Sequence, residues 1–181
     1  MSDSVPIITS VKNWLEHTVI GLQLCPFAKS VLDANKIRYT VSDTKDAETL
    51  MLKLHEEFKR LDETPEIETT LVIIHQQLHD FESFNQTLDY VDDMLEQYGW
   101  SGVFQVASFH PQYQFADTHI DDRENWTNRS PYPIFHILRE SSLELAIEQF
   151  PSIEDLPQEN IKRMNALSNE VFTQVLQASR V

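Results

Sequence analysis

The chain has 181 residues, 41% of them hydrophobic and 10% aromatic: enough apolar material for one domain with a real core, and too much for a disordered chain. Its 29 acidic and 14 basic residues give a formal net charge of −15, which repels phosphate backbones and anionic lipid and so sets aside nucleic acid and membrane surfaces as partners. The apolar run Leu71–Ile74 is far shorter than the roughly 20 residues of a membrane span, the opening MSDSVPIITS has no signal-peptide pattern, and Cys25 is the single cysteine, so the expectation is a cytoplasmic protein without internal disulfides.

Residues 7–22 carry apolar side chains at Ile8, Val11, Leu15, Val19 and Leu22, the spacing of a first helix. Leu24-Cys25-Pro26 restarts a second helix running to about Asn35, because proline suits a first helical position. Residues 36–42 read as strand one, and 46–61 as an amphipathic helix with Leu50, Leu54, Phe58 and Leu61 on one face. Thr69–His75 is apolar on both faces and so a central strand. Residues 80–98 form a helix ended near Gly99, and 101–108 strand three. A long polar and aromatic segment, 109–133, precedes an apolar strand at 134–139. A helix follows over 141–150, capped by Ser141 or Ser142, and a last helix over 155–177. With three glycines in all, neither a dinucleotide fingerprint nor a P-loop is present.

Strand, helix, strand, helix, strand in the middle of the chain is the pattern of a parallel core. Strand four lacks a helical crossover and is expected to run antiparallel. The expected fold is a single α/β domain over 1–181: a four-stranded, mostly parallel sheet, a βαβαβ core plus one antiparallel strand, flanked by helices.

Ligands of open α/β sheets lie beyond the carboxyl ends of the strands. That rule gathers Ser42, His75, Ser108–His110, the start of strand four with Arg129, Ser130 and Tyr132, and the Cys25 turn along one edge, under the segment 109–133. Loops of that length in a compact domain are commonly functional.

The pieces LQLCPFAK (22–29), ETTLVIIH (68–75), GVFQVASFHPQYQFADT (102–118) and ENWTNRSPYPIFHILRE (124–140) resemble a bacterial family catalogued as domain of unknown function 1415. Together they span nearly the whole chain. The resemblance implies a compact bacterial domain of about this size and implies no activity.

Within the segment and its neighbours, His110 suits a general acid/base or metal ligand, or a turn histidine bonded to its own loop. Cys25 at a helix N-terminus suits a nucleophile, or a small buried residue. Glu124 or Asp122 could orient His110. A divalent cation could draw on His110, His119, Asp122 and Glu124, although an exposed acidic loop has the same composition. Arg129 among Asn128, Ser130 and Tyr132 suits binding of a carboxylate or phosphate, or an internal salt bridge to Glu124 or Glu68. Gln105 and His136, polar residues in apolar strands, either find core partners or line a pocket floor. The sequence names no cofactor and no oligomeric state. It favours an enzyme acting on a small anionic metabolite by acid/base or thiol chemistry at the carboxyl edge. A non-catalytic metal- or small-ligand-binding protein is the alternative, and a scaffold using the apolar stripe of helix 155–177 a third reading.

Overall fold

A computed structural model describes residues 4–149 and 155–179. Helix α1 (Ser4–Trp14) buries Ile7, Val11 and Trp14 and passes directly into a π-helical stretch, Leu15–Ile20. Gly21 ends that stretch where the chain closes on itself: a Cβ there would stand 2.3 Å from the His17 carbonyl oxygen. Helix α2 spans only Ala28–Asp33, so it starts later than Pro26 suggests, and Cys25 lies outside it.

Four strands follow: β1 (Ile37–Ser42), β2 (Thr69–Ile74), β3 (Phe104–Phe109) and β4 (Ile134–Arg139). Between them run α3 (Ala47–Glu63) and α4 (Phe81–Gln97). Each of these helices is capped by an aspartate accepting from the amide three residues on, Asp46 from Thr49 at 2.8 Å and Asp80 from Ser83 at 2.9 Å, the reciprocal of an N-terminus with orphan N–H groups.

The sheet order is β1-β2-β4-β3. β1 and β2 are parallel, while β4 runs antiparallel to both β2 and β3. The expected reversed direction of β4 holds, but the sheet is mixed, not mostly parallel, because β4 inserts between β2 and β3 and leaves one parallel pair. The physical reason is visible in composition. Ile134, Phe135 and Ile137 are all fully buried, a strand apolar on both faces that needs a neighbour on each edge. β3 carries Gln105 and Ser108 and is mostly half-buried, which suits a sheet edge. β2 is buried at all six positions, as a central strand should be.

Alternation along the strands divides the core in two. Val72, Ile74, Phe104, Phe135 and Ile137 pack against α3 and α4. Leu71, Ile73 and Ile134 pack on the other face against α1 and the π-helical stretch. On α3, Leu50, Leu54, Phe58 and Leu61 are each fully buried, worth roughly 1.5–3 kcal/mol apiece.

Helix α5 (Glu140–Gln149) grows straight out of β4, so Ser141 and Ser142 lie within its first turn and do not cap it; Phe150 falls outside the described residues. The single last helix expected over 155–177 is two helices, α6 (Leu156–Ala166) and α7 (Asn169–Ala178), with Ser168 capping the second through the Val171 amide. Met164 and Val175 from its apolar stripe are buried against Leu24 and Trp126, which accounts for much of that stripe within the chain. No helix among the described residues is long and apolar enough to cross a membrane.

Candidate functional site

The carboxyl ends of β1, β2 and β3 and the start of β4 share one rim, and residues 110–133 fold over it. The His110 amide donates to the Asn128 carbonyl (3.2 Å), Asn128 Nδ2 donates to the Ser108 carbonyl (3.3 Å), and Ser130 Oγ donates to the Tyr132 carbonyl (2.6 Å). The Tyr132 ring meets His75 edge-on at 6.0 Å, and burial raises the Tyr132 pKa. The rim therefore brings together His110, Asn128, Arg129, Ser130 and Tyr132, yet most of their polar atoms face the chain's own backbone.

His110 is fully buried between the rings of Phe81 and Phe84. Its Nδ1 accepts from the Gln112 amide at 3.0 Å, which leaves the proton on Nε2, donated to the Leu78 carbonyl at 3.0 Å. Burial pulls its pKa down, against the opposing pull of the Leu78 hydrogen bond and of Asp80. Both nitrogens are thus committed. Through these two bonds His110 ties strand β3 to the turn before α4, where Leu78 is held at φ +55°, a conformation costly for a branched side chain.

Arg129 also bonds within the segment. Its Nε donates to the Tyr113 carbonyl (3.0 Å) and its NH2 to the Ile120 carbonyl (2.6 Å), and the guanidinium lies over the Trp126 ring. Its hydrogen-bond partners within the protein are backbone carbonyls, neither Glu124 nor Glu68. Burial lowers its pKa, with Asp121 pulling the other way. Asn125, which the sequence reading passed over, organises the same segment: Oδ1 accepts from the Phe115 amide and the Thr118 hydroxyl, and Nδ2 donates to the His119 carbonyl. Asp122 accepts from the His119 amide, and the Glu124 carbonyl accepts from Thr127 Oγ1. Among the described residues no three His, Cys, Asp or Glu side chains converge to hold a metal ion, so the set His110, His119, Asp122 and Glu124 forms no centre.

Cys25 lies elsewhere. It packs with the apolar cluster on the α1 face of the sheet, whereas His110 contacts Phe84 of the α4 face. Between α1, α2, α5 and the sheet is a cavity of about 470 Å³, within the range of small-molecule pockets. Trp14, Leu15, Val19, Phe27, Leu71, Phe109, Leu138 and Leu143 form much of its wall. Its polar lining includes Cys25, Thr69, His136, Ser142, Glu68 and Lys36. Ile37, Thr69 and Leu138 belong to one row across the sheet, at the amino ends of β1 and β2. The cavity lining runs from this row to Ala107 and Phe109 of β3, and α1 closes over the carboxyl rim, with Trp14 Nε1 donating to the Arg129 carbonyl at 2.8 Å and its ring edge-on to Phe109.

His136, half-buried at the centre of β4, contributes to the cavity lining. Thr69 Oγ1 donates its only proton to the Ile137 carbonyl (2.6 Å), so at its 2.7 Å contact with His136 Nε2 it can only accept. The imidazole therefore carries its proton on Nε2, and Nδ1 keeps a lone pair with no partner among the described residues. Desolvation pushes its pKa down to about 4, so the ring is neutral at pH 7. Glu68 accepts a short hydrogen bond from Ser142. The Arg139 guanidinium donates to the Ile67 and Thr64 carbonyls and lies over the Phe104 ring.

Gln105, the other expected floor residue, is exposed on the edge strand, outside the residues that line the cavity. Thr69 was missed, although two threonines opening a wholly buried strand are a signal, since buried hydroxyls need partners. No cavity follows from residue order alone, because it depends on how far α2 and α5 stand from the sheet.

Neither the curated proteins nor the solved structures contain a match to this chain. The family described as "Protein of unknown function (DUF1415)" matches residues 6–174, so that the segments carrying the rim, the clamp and the cavity all fall within it, and the chain belongs to that family.

Proposed function

We propose that this protein binds a small, largely apolar molecule in the cavity between α1, α2, α5 and the sheet. The observation that carries this reading is the cavity itself, about 470 Å³, walled by apolar side chains and furnished with a few polar groups, the usual composition of a small-molecule site. Catalysis by acid/base or thiol chemistry on the bound molecule would draw on His136 and Cys25, which share this lining. An anionic substrate has less support, because Arg129 and Arg139 are engaged with backbone carbonyls and Lys36 is exposed to water.

Cys25, as the single cysteine, reports occupancy. With N-ethylmaleimide as the reagent and 2-naphthol as the probe, mass spectrometry should show slower modification of Cys25 when the probe is present, and thermal unfolding should shift upward. Ala107→Leu, which narrows the cavity, should remove both effects. Unchanged modification together with an unchanged melting temperature would reject the cavity as a binding site.

A further inference from the structure

We propose that the cavity selects a neutral ligand bearing an O–H or N–H group, which it donates to Nδ1 of His136. This deepens the binding reading above and rests on it. The argument is a proton count. Thr69 has one hydroxyl proton, and the Ile137 carbonyl takes it at 2.6 Å. The remaining 2.7 Å contact must then be His136 Nε2–H donating to Thr69. The ring is fixed in one tautomer and presents an acceptor, not a donor, to whatever shares its surroundings. A carboxylate or phosphate brings only acceptors and would set lone pairs against a lone pair. An alcohol, phenol or heteroaromatic N–H supplies the missing proton.

The other titratable groups in the lining agree with this choice. Lys36 is an exposed cation and Glu68 an anion bonded to Ser142. The Arg139 guanidinium is engaged with main-chain carbonyls, and Cys25 is a thiol on an apolar wall. None of these leaves an uncompensated buried cation to hold an anion. The apolar wall provides affinity by area, and His136 provides selection by hydrogen-bond sense.

The test compares three probes of nearly equal shape with the full chain at pH 7: 2-naphthol, 2-methylnaphthalene and 2-naphthoate. The expected order is 2-naphthol about tenfold tighter than 2-methylnaphthalene, the value of one well-made hydrogen bond, with 2-naphthoate weakest. His136→Leu should bring the first two to equal affinity. Long-range proton–nitrogen NMR of the unsubstituted protein gives a second readout: the proton on Nε2 in the free protein, and a shift of the Nδ1 resonance on adding 2-naphthol. Binding of 2-naphthoate as tight as 2-naphthol, a proton found on Nδ1, or a preference that survives in His136→Leu overturns the selection rule while leaving the cavity as a binding site. Failure of all three probes to bind overturns the cavity reading, and this inference with it.

Discussion

Two histidines of this chain show how one residue type takes opposite roles through its partners. His110 has both ring nitrogens engaged and no exposed surface. His136 has one nitrogen engaged and the other unpartnered among the described residues. Both have pKa values lowered by burial, His136 to about 4, against about 6.5 for an unfolded histidine. Between those values the unfolded chain binds more protons than the folded one. The contribution of His136 to stability is therefore complete above about pH 6.5 and is lost as pH falls toward 4, and that of His110 is lost in the same direction. Lowered carboxylates such as Glu57, Asp46 and Asp80 follow the same sign but lose their contribution in the carboxylate range, below about pH 4. Urea midpoints should hold level from pH 8 to 7 and fall between about 6.5 and 4.5, and His136→Leu should make that fall shallower. An equal slope in the two proteins would mean that His136 does not carry its share.

At the scale of elements, the α3 face turned to β1 joins two structures through charge. Glu57, with a side chain 1% exposed, takes two hydrogen bonds from Arg38, at 2.6 and 3.0 Å, and has Lys53 at 3.3 Å. The guanidinium pair overcomes the desolvation that would otherwise raise its pKa. The two partners are not equivalent, because Arg38 remains 30% exposed. Arg38→Ala leaves a buried carboxylate with Lys53 alone and should cost about 3 kcal/mol, whereas Glu57→Leu lets Arg38 reach water and should cost about 1 kcal/mol or less. Urea denaturation of the two variants decides the order, and the reverse order would show that packing outweighs charge here. The helices themselves were legible: the apolar spacing of α3 and α4 lies on their buried faces, and Asp46 and Asp80 stand where caps belong. The position of β4 was missed because pairing order is a choice among edges, and a run such as Ile134–Leu138 announces two buried faces without naming the neighbours. The break at Leu167–Ser168 was missed because the apolar stripe continues across it, while Ser168 satisfies a new helix start.

Across the whole molecule, the segment 110–133 links the sheet to the last two helices. Arg123 in the 3-10 turn Arg123–Thr127 donates to the Leu167 carbonyl (2.6 Å) and to Asn169 Oδ1 (2.7 Å). Its guanidinium lies over Phe172 at 4.5 Å, and Phe172 meets Trp126 edge-on. These contacts hold α7 onto the segment that Arg129 and Asn125 organise. Arg123→Ala should cost about 1–2 kcal/mol and, by hydrogen exchange, lower amide protection across 169–178 while leaving β2 and β4 unchanged. Uniform loss over the chain, or no loss at 169–178, would show that the helices are held by other contacts. Aromatic, amide and arginine side chains of the long segment thus join parts of the fold.

Periodicity, capping residues and the doubly apolar strands were written in the chain, since each depends on neighbours a few positions away. So was the presence of His136 and Thr69 in buried strands, though not their partnership. Tertiary structure decided which hydrogen bonds each polar side chain makes and where the helices leave space. That is why His110 and Arg129 bond to backbone within the chain, and why a cavity stands beside His136 and Cys25, between the sheet and α1, α2 and α5.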